Sequence, residues 1–367
     1  MKQHDKPRSA PRKLKVETLP DPWYEKLIED MQGWRRLAET GLVLIKGKDL
    51  PWHQNRQARV RYYLLPPYKA DTALQTVAVF EQIIRRHSGM HRHQGGVAIY
   101  VLEGEGHTIV DGERYDWTAE DLLLLPIKPG GVAHQHFNRH ADKPARWLAF
   151  IPMAFQEYLA SEVVQIETSP DWRSPEVPDA KRKSVEDAGT LAPSRTVAST
   201  AQARENTVPE RDATLLDSLF QLRDDYRASS QSGLRVVRGR DLPWENNRQG
   251  RMRWYLHPCK KDTALRSLIV YVQEIPPAGK SGRQRCPGGL IHYMLAGRGT
   301  VEIDAKRYEW ETGDCVALPI MSDGVEYQFF NGDAKAPARY LVVTPNFFEV
   351  LGVDLGSTFE QIEDASS

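Results

Sequence analysis

Residues 41–52 read GLVLIKGKDLPW, and residues 233–244 read GLRVVRGRDLPW. Outward from this pair the correspondence continues. Asn55-Arg56-Gln57 returns as Asn247-Arg248-Gln249, Asp71 to Leu74 as Asp262 to Leu265, and Tyr115-Asp116-Trp117 as Tyr308-Glu309-Trp310. Phe137-Asn138 matches Phe330-Asn331, and Pro144-Ala145-Arg146 matches Pro337-Ala338-Arg339. The offset stays at about 192 residues, so two copies of one domain lie in tandem with few insertions.

Each copy opens on a helical pattern and then turns to strands. In the first, Asp21 caps and Pro22 starts a run with apolar residues at helical spacing. Ala213 to Tyr226 fills the same place in the second. Short runs rich in Val, Ile, Leu and Tyr follow, and the clearest strands are Val97 to Leu102, His107 to Val110, Leu122 to Leu125 and Trp147 to Ile151. Asp111-Gly112 predicts a hairpin turn. Many short strands without interleaved helices predict an all-β antiparallel sandwich or barrel behind N-terminal helices.

The pattern divides the chain into a basic disordered tail over residues 1–20, a first barrel domain over 21–160 and a flexible linker over 161–211. A second barrel domain follows over 212–350, then a C-terminal tail over 351–367. With 49 Lys and Arg against 49 Asp and Glu, the 367-residue chain has no net charge to gather nucleic acid or coat a membrane. Three scattered cysteines, Cys259, Cys286 and Cys315, argue for a reducing compartment. No apolar run approaches a membrane span, and the N-terminus lacks an apolar signal core, so a cytoplasmic location is expected.

The histidines carry the chemistry. Of the 11 in the chain, His87, His91, His93, His107, His134, His136 and His140 crowd one stretch of the first copy. Chance predicts roughly 0.3 His-x-His pairs at this histidine content, and His91-Arg92-His93 and His134-Gln135-His136 supply two. In an extended segment alternate side chains share a face, so His91 and His93 can aim at one point inside a barrel, and a later strand can return His134 to it. Three imidazoles leave about half the positions of a six-coordinate metal open, which suits iron holding a bidentate substrate beside dioxygen.

These residues resemble the cupin family. His91, His93 and Gly104 fill its first motif, with Val97 or Ala98 where a glutamate ligand usually stands. Asp121, Pro126, His134 and Asn138 fill the second motif, with Glu120 in place of a glycine. Loss of the glutamate looks like the three-histidine cupins. Among these, His91 to His93, Leu102 to Gly106 and Val110 to Glu113 resemble gentisate 1,2-dioxygenase and its relatives acting on salicylate and 1-hydroxy-2-naphthoate. The resemblance implies a bicupin of tandem double-stranded β-helix (jelly-roll) barrels, with Fe(II) on His91, His93 and His134. It also implies ring cleavage of a small hydroxylated aromatic with O2, and assembly as a homodimer or homotetramer.

The resemblance extends to residues near the metal. His136 matches a histidine expected to hydrogen-bond substrate or transfer a proton. The strand carrying Arg59 and Arg61 fits the position that supplies an arginine to a substrate carboxylate, although Arg251 and Arg253 recur in the second copy and leave a shared structural role equally open. Ile99 stands where gentisate-type enzymes carry another arginine, and an apolar wall there favours hydroquinone-like or naphthol-like substrates over gentisate. In the second copy Gln284, Cys286 and Tyr327 replace the three histidines, so that barrel is expected to be metal-free. His292 takes the place of Ile99 and reads as a core histidine. Two alternatives stand beside the dioxygenase. One is a metal-dependent isomerase, decarboxylase or β-diketone-cleaving cupin, and the other a small-molecule-binding bicupin without turnover.

Overall fold

The structure is a computed structural model that describes residues 22–66, 71–173, 214–348, 350–351 and 359–366. The basic stretch 1–20 and most of the linker 161–211 lie outside the described residues. In each copy two antiparallel sheets face one another, and the chain winds back and forth between them. The first copy places Arg59–Leu64, Val77–Ile84, Ala145–Pro152, Val97–Glu103 and Leu122–Leu125 in one sheet. The other sheet holds Val164–Glu167, Met90–His93, Val132–Asn138, Glu105–Val110 and Glu113–Thr118. The second copy repeats this arrangement, so each copy is a double-stranded β-helix barrel. The hairpin at Asp111-Gly112 forms as expected, both residues taking positive φ (51° and 89°).

Leu122–Leu125 is an unbroken apolar run because its strand is buried on both faces. Leu123 and Leu125 face the first barrel's interior with Val97, Ile99, Val132 and Trp147. Leu122 and Leu124 face the second copy, in a core shared with Tyr63, Phe150, Tyr293, Leu341 and Val343. Each such side chain removed from water contributes about 1.5–3 kcal/mol. The two barrels therefore pack sheet against sheet.

That packing is locked by exchanged arms. Leu44–Ile45, which precedes the first barrel, pairs with Cys315–Ala317 of the second, and Val236–Val237 pairs with Leu122–Leu125 of the first. One buried carboxylate grips each arm. Asp314 accepts from Lys46 Nζ at 2.8 Å and from the Gly47 backbone N–H at 3.1 Å. Asp121 accepts from Arg238 at 2.6 Å and from the Gly239 N–H at 3.3 Å. Neither arm glycine can carry a side chain. A Cβ on Gly47 would sit 2.0 Å from the Gly313 carbonyl oxygen, and one on Gly239 would sit 2.1 Å from that of Glu120.

Glu120 explains its own departure from the motif. Its position needs positive φ, 70° here against 90° at the equivalent Gly313. Its carboxylate in return accepts from Arg253 at 3.2 Å and Arg339 at 3.3 Å of the other copy.

The barrels reach further along the chain than residues 160 and 350. Val164–Glu167 joins the strand Met90–His93, and Glu360–Glu363 joins Arg283–Cys286. Gln165-Ile166-Glu167 and Gln361-Ile362-Glu363 are one more repeat, obscured by the polar composition around them. Both long helices form, over Pro22–Thr40 and Leu215–Ser232, the second starting at a Thr214–Asp217 capping box. Their apolar side chains, Leu27, Met31 and Trp34 in one and Leu219, Phe220 and Leu222 in the other, stay exposed. No helix among the described residues is long and apolar enough to cross a membrane.

Asp121→Ala would strand Arg238 and release an arm from a buried partner, a loss of about 3–5 kcal/mol. Urea unfolding should show a lowered midpoint and separation of the two barrels into distinct transitions. An unchanged single transition would mean that the carboxylate does not hold them together.

Candidate metal centre

Met90–His93 and Val132–Asn138 run antiparallel with His134 opposite His91 and Val132 opposite His93. Side chains alternate along a strand, so His91, His93, His134 and His136 project to the same side. Arg92 and Gln135 project to the other, where Arg92 pairs with Glu162 and Gln135 donates to the Ser88 carbonyl. A Gly-Gly turn then carries the chain to the opposite sheet. Gly95 has φ +84°, and a Cβ there would lie 1.8 Å from the Pro126 carbonyl oxygen.

His91, His93 and His134 converge. Their ring centroids stand 4.2 to 5.3 Å apart, and one nitrogen from each lies within 4.8 Å of the others. Burial disfavours the charged imidazoles, lowering His91 to about 3 and His93 to about 4, and it pushes His134 well down too. All three rings are therefore neutral near pH 7 and offer lone pairs. His134 Nδ1 lies 3.3 Å from the Val132 carbonyl oxygen, which as an acceptor fixes the proton on Nδ1 and leaves Nε2 free. The Gly95 N–H lies 2.9 Å from His93 Nδ1 and holds that ring in place, while His91 Nδ1 is buried without a partner.

A neutral, largely buried set of this kind fits a transition-metal ion. No carboxylate joins the cluster among the described residues. Val97, at the usual glutamate position, is 3% exposed and packs in the apolar interior.

His136 lies beside the cluster, 5.4 Å from the His134 ring and 2% exposed, and burial lowers its pKa to about 3. Trp117 Nε1 donates to Thr108 Oγ1 at 2.9 Å, and that hydroxyl lies 2.8 Å from His136 Nδ1. Ile99 is buried among the same interior side chains, so the apolar wall expected from sequence is present.

Arg59 and Arg61 are not brought to the histidines. Val60 pairs with the interior Gln82, whereas Arg61 pairs with Glu81, so strand alternation turns both arginines to the outer face. Arg61 donates to the buried Glu81 carboxylate at 2.7 Å and to the Gly47 carbonyl at 2.7 Å, while Arg59 is exposed beside Trp52. Arg146 completes the Glu81 pair at 2.6 Å. Arg61 and Arg146 thus line the cleft between the barrels, together with Tyr293 and Arg339 of the second copy.

Trp147 is a residue that pattern reading passes over. Its ring lies 4.9 Å from His136, and its buried Nε1 has no hydrogen-bond partner. The only signal was its place at an interior-facing position in the same alternation as Ala149. The other histidines of the first copy stay apart from the cluster. His107 stacks on Phe137 at 4.8 Å, His87 accepts from Gln135 at 3.1 Å, and His140 sits 2.5 Å from Glu105.

The second barrel keeps the register and changes the chemistry. Gln284 stands opposite Tyr327 and Cys286 opposite Val325, as His91 and His93 stand opposite His134 and Val132. Burial pushes the Cys286 thiol up to about 12, far from thiolate. His292 is buried against Phe329, Tyr327 and Tyr340 with Nδ1 unpartnered, and burial lowers its pKa to about 3.

Comparison with known proteins agrees with this architecture. The cupin domain matches residues 83–151 and again 271–344, one match in each barrel, so the chain is a bicupin. It is 22% identical over 309 residues to 5-aminosalicylate 1,2-dioxygenase of a Comamonas species, covering 83% of this chain and 75% of that protein. Among solved structures it is similar to oxalate decarboxylase of Bacillus subtilis. A single-site variant of that enzyme superposes with a TM-score of 0.55 at 12% identity, over 88% of this chain and 80% of the other. The same enzyme at pH 4.6 gives 0.55 and 12% over 88% and 78%.

His91→Ala removes one of the three candidate ligands and should lower bound metal at least tenfold, read by elemental analysis after dialysis. The fold should survive, since His91 is not part of the apolar core. Full retention of metal would place the ion elsewhere.

Proposed function

We propose that this chain is a ring-cleaving dioxygenase that holds Fe(II) on His91, His93 and His134 and acts on a small hydroxylated aromatic with O2. The observation that carries this reading is the donor set, three neutral imidazoles, two buried and one half-buried, joined by no carboxylate among the described residues. The similarity to a salicylate-type dioxygenase supports it. Neutral ligands leave the charge of the ion to be balanced by substrate, which favours a phenolate chelating through two oxygens. Ferrous iron supplies the redox chemistry that lets dioxygen attack a closed-shell ring.

The protein's own residues orient that substrate and manage its protons. Thr108, having accepted the Trp117 N–H, donates its hydroxyl hydrogen bond to His136 Nδ1. His136 then carries its own proton on Nε2 and presents it as a donor to a substrate oxygen. The unpartnered Trp147 Nε1–H is a second donor beside it. Ile99, Val97 and Leu123 form the apolar side. With Arg59 and Arg61 turned away, neither they nor Ile99 clamps a carboxylate, so the reading favours a hydroquinone, an alkylated phenol or a naphthol over gentisate. We place the enzyme in the cytoplasm, with its three cysteines free, as a homo-oligomer whose subunit contacts use the exposed apolar helix faces.

Oxygen uptake by protein loaded with Fe(II), and separately with Mn(II), tests this across gentisate, 5-aminosalicylate, salicylate, hydroquinones and naphthols. Iron-dependent uptake, fastest with carboxylate-free substrates, is expected. Fastest turnover of gentisate with diphenols ignored would sink the inference from Ile99, and no uptake on any aromatic would sink the dioxygenase. His136→Gln should lower kcat about a hundredfold at unchanged iron content. Loss of iron with that substitution would make His136 a structural support instead.

A further inference from the structure

The second barrel contains a cavity of about 310 Å³, walled by Met252, Trp254, Tyr271 and Phe359 with Gln249 and Gln284. It lies beside the place that the histidine cluster occupies in the first barrel: Gln284, which stands where His91 does, lines it, while Cys286 and Tyr327, the counterparts of His93 and His134, are packed in the core. Its polar side is wired differently. In the first barrel Gln57 Nε2 donates to Gln165 Oε1 at 2.7 Å. In the second, the equivalent oxygen of Gln361 accepts from Gln284 Nε2 at 3.0 Å, and Gln284 Oε1 accepts from the Tyr327 hydroxyl at 2.7 Å. Gln249, the counterpart of Gln57, is consequently left with a buried amide nitrogen that has no partner, on a residue only 4% exposed.

Buried amide donors are almost always satisfied, so an unmet one in a cavity wall points to an acceptor supplied from outside. A second donor stands nearby. His257 Nδ1 accepts from the Cys259 N–H at 3.2 Å, which puts the ring proton on Nε2. Among the described residues no aspartate or glutamate lines the cavity, and Arg248, itself paired with Asp364 at 3.0 Å, does. The aromatic walls suit a flat ring, and the volume lies at the small end of ligand pockets.

We propose that the metal-free barrel is a second binding site, which holds a single-ring aromatic carboxylate without turnover, its ring against the Trp254–Tyr271 pair and Phe359 and its carboxylate on Gln249. The site stands whether or not the first barrel cleaves rings.

Calorimetric titration with benzoate and with salicylate, on the full chain carrying His91→Ala and His134→Ala, isolates it from the metal. One saturable equivalent per chain is expected, with quenching of tryptophan emission from Trp254. Gln249→Leu should weaken binding at least tenfold while leaving metal content and oxygen uptake of the otherwise unaltered chain unchanged. Phe359→Ala, at the cavity edge, gives a second reading should Gln249→Leu fail to fold, and weakening in either folded variant supports the site. Absence of saturable binding by both probes, or affinity unaltered in every folded variant, overturns it.

Discussion

Two buried carboxylates, Asp121 and Asp314, hold this molecule together. Each belongs to one barrel and grips the arm that leads into the other, so neither barrel is complete by its own repeat. The cost of burying a carboxylate is offset by a cation and by backbone N–H groups aimed at it. With the arms fixed, two sheets press together and their strands are buried on both faces. That double burial gives the inner strands their continuous apolar runs, and it gives each barrel a rigid wall behind its interior.

Strand alternation then sorts polar residues into two separate environments. One face of each inner strand looks into its own barrel, and the other looks at the neighbouring barrel. In the first barrel the opposite sheet presents histidines to the interior, where burial keeps them neutral and ready to hold a cation. The charges at the inner sheet gather outside, where Glu81 is shared by Arg61 and Arg146. A site of neutral nitrogen donors is thereby kept apart from guanidinium groups that would repel a metal ion.

The two barrels show how one register supports different chemistry. In the first, two strands oppose His91 and His134. In the second, the same pairing opposes Gln284 and Tyr327, which hydrogen-bond to each other. Different side chains on the same register replace the histidine cluster with an amide and phenol network beside a cavity. The scaffold is indifferent to the change because its stability rests on the shared apolar core and the exchanged arms.

Much of this was legible in the sequence. The repeat announced two like domains, short strands punctuated by turns announced barrels, and the spacing of His91, His93 and His134 announced a cluster, because alternation along a strand is a local property. What followed a long-range contact was not legible. The Gln165 and Gln361 strands were hidden in polar surroundings, since their pairing depends on an edge far away in the chain. Arg59 and Arg61 looked like substrate ligands until pairing with Val77–Ile84 decided which face they occupy. Asp121 read as one residue of a motif, and only the crossing of the arms showed that it grips the other barrel. Sequence by itself determined the number of domains, their strand-rich class and the residues able to hold a metal. Tertiary structure alone decided which face each side chain meets, because a strand specifies two faces and only its neighbours determine which is the interior.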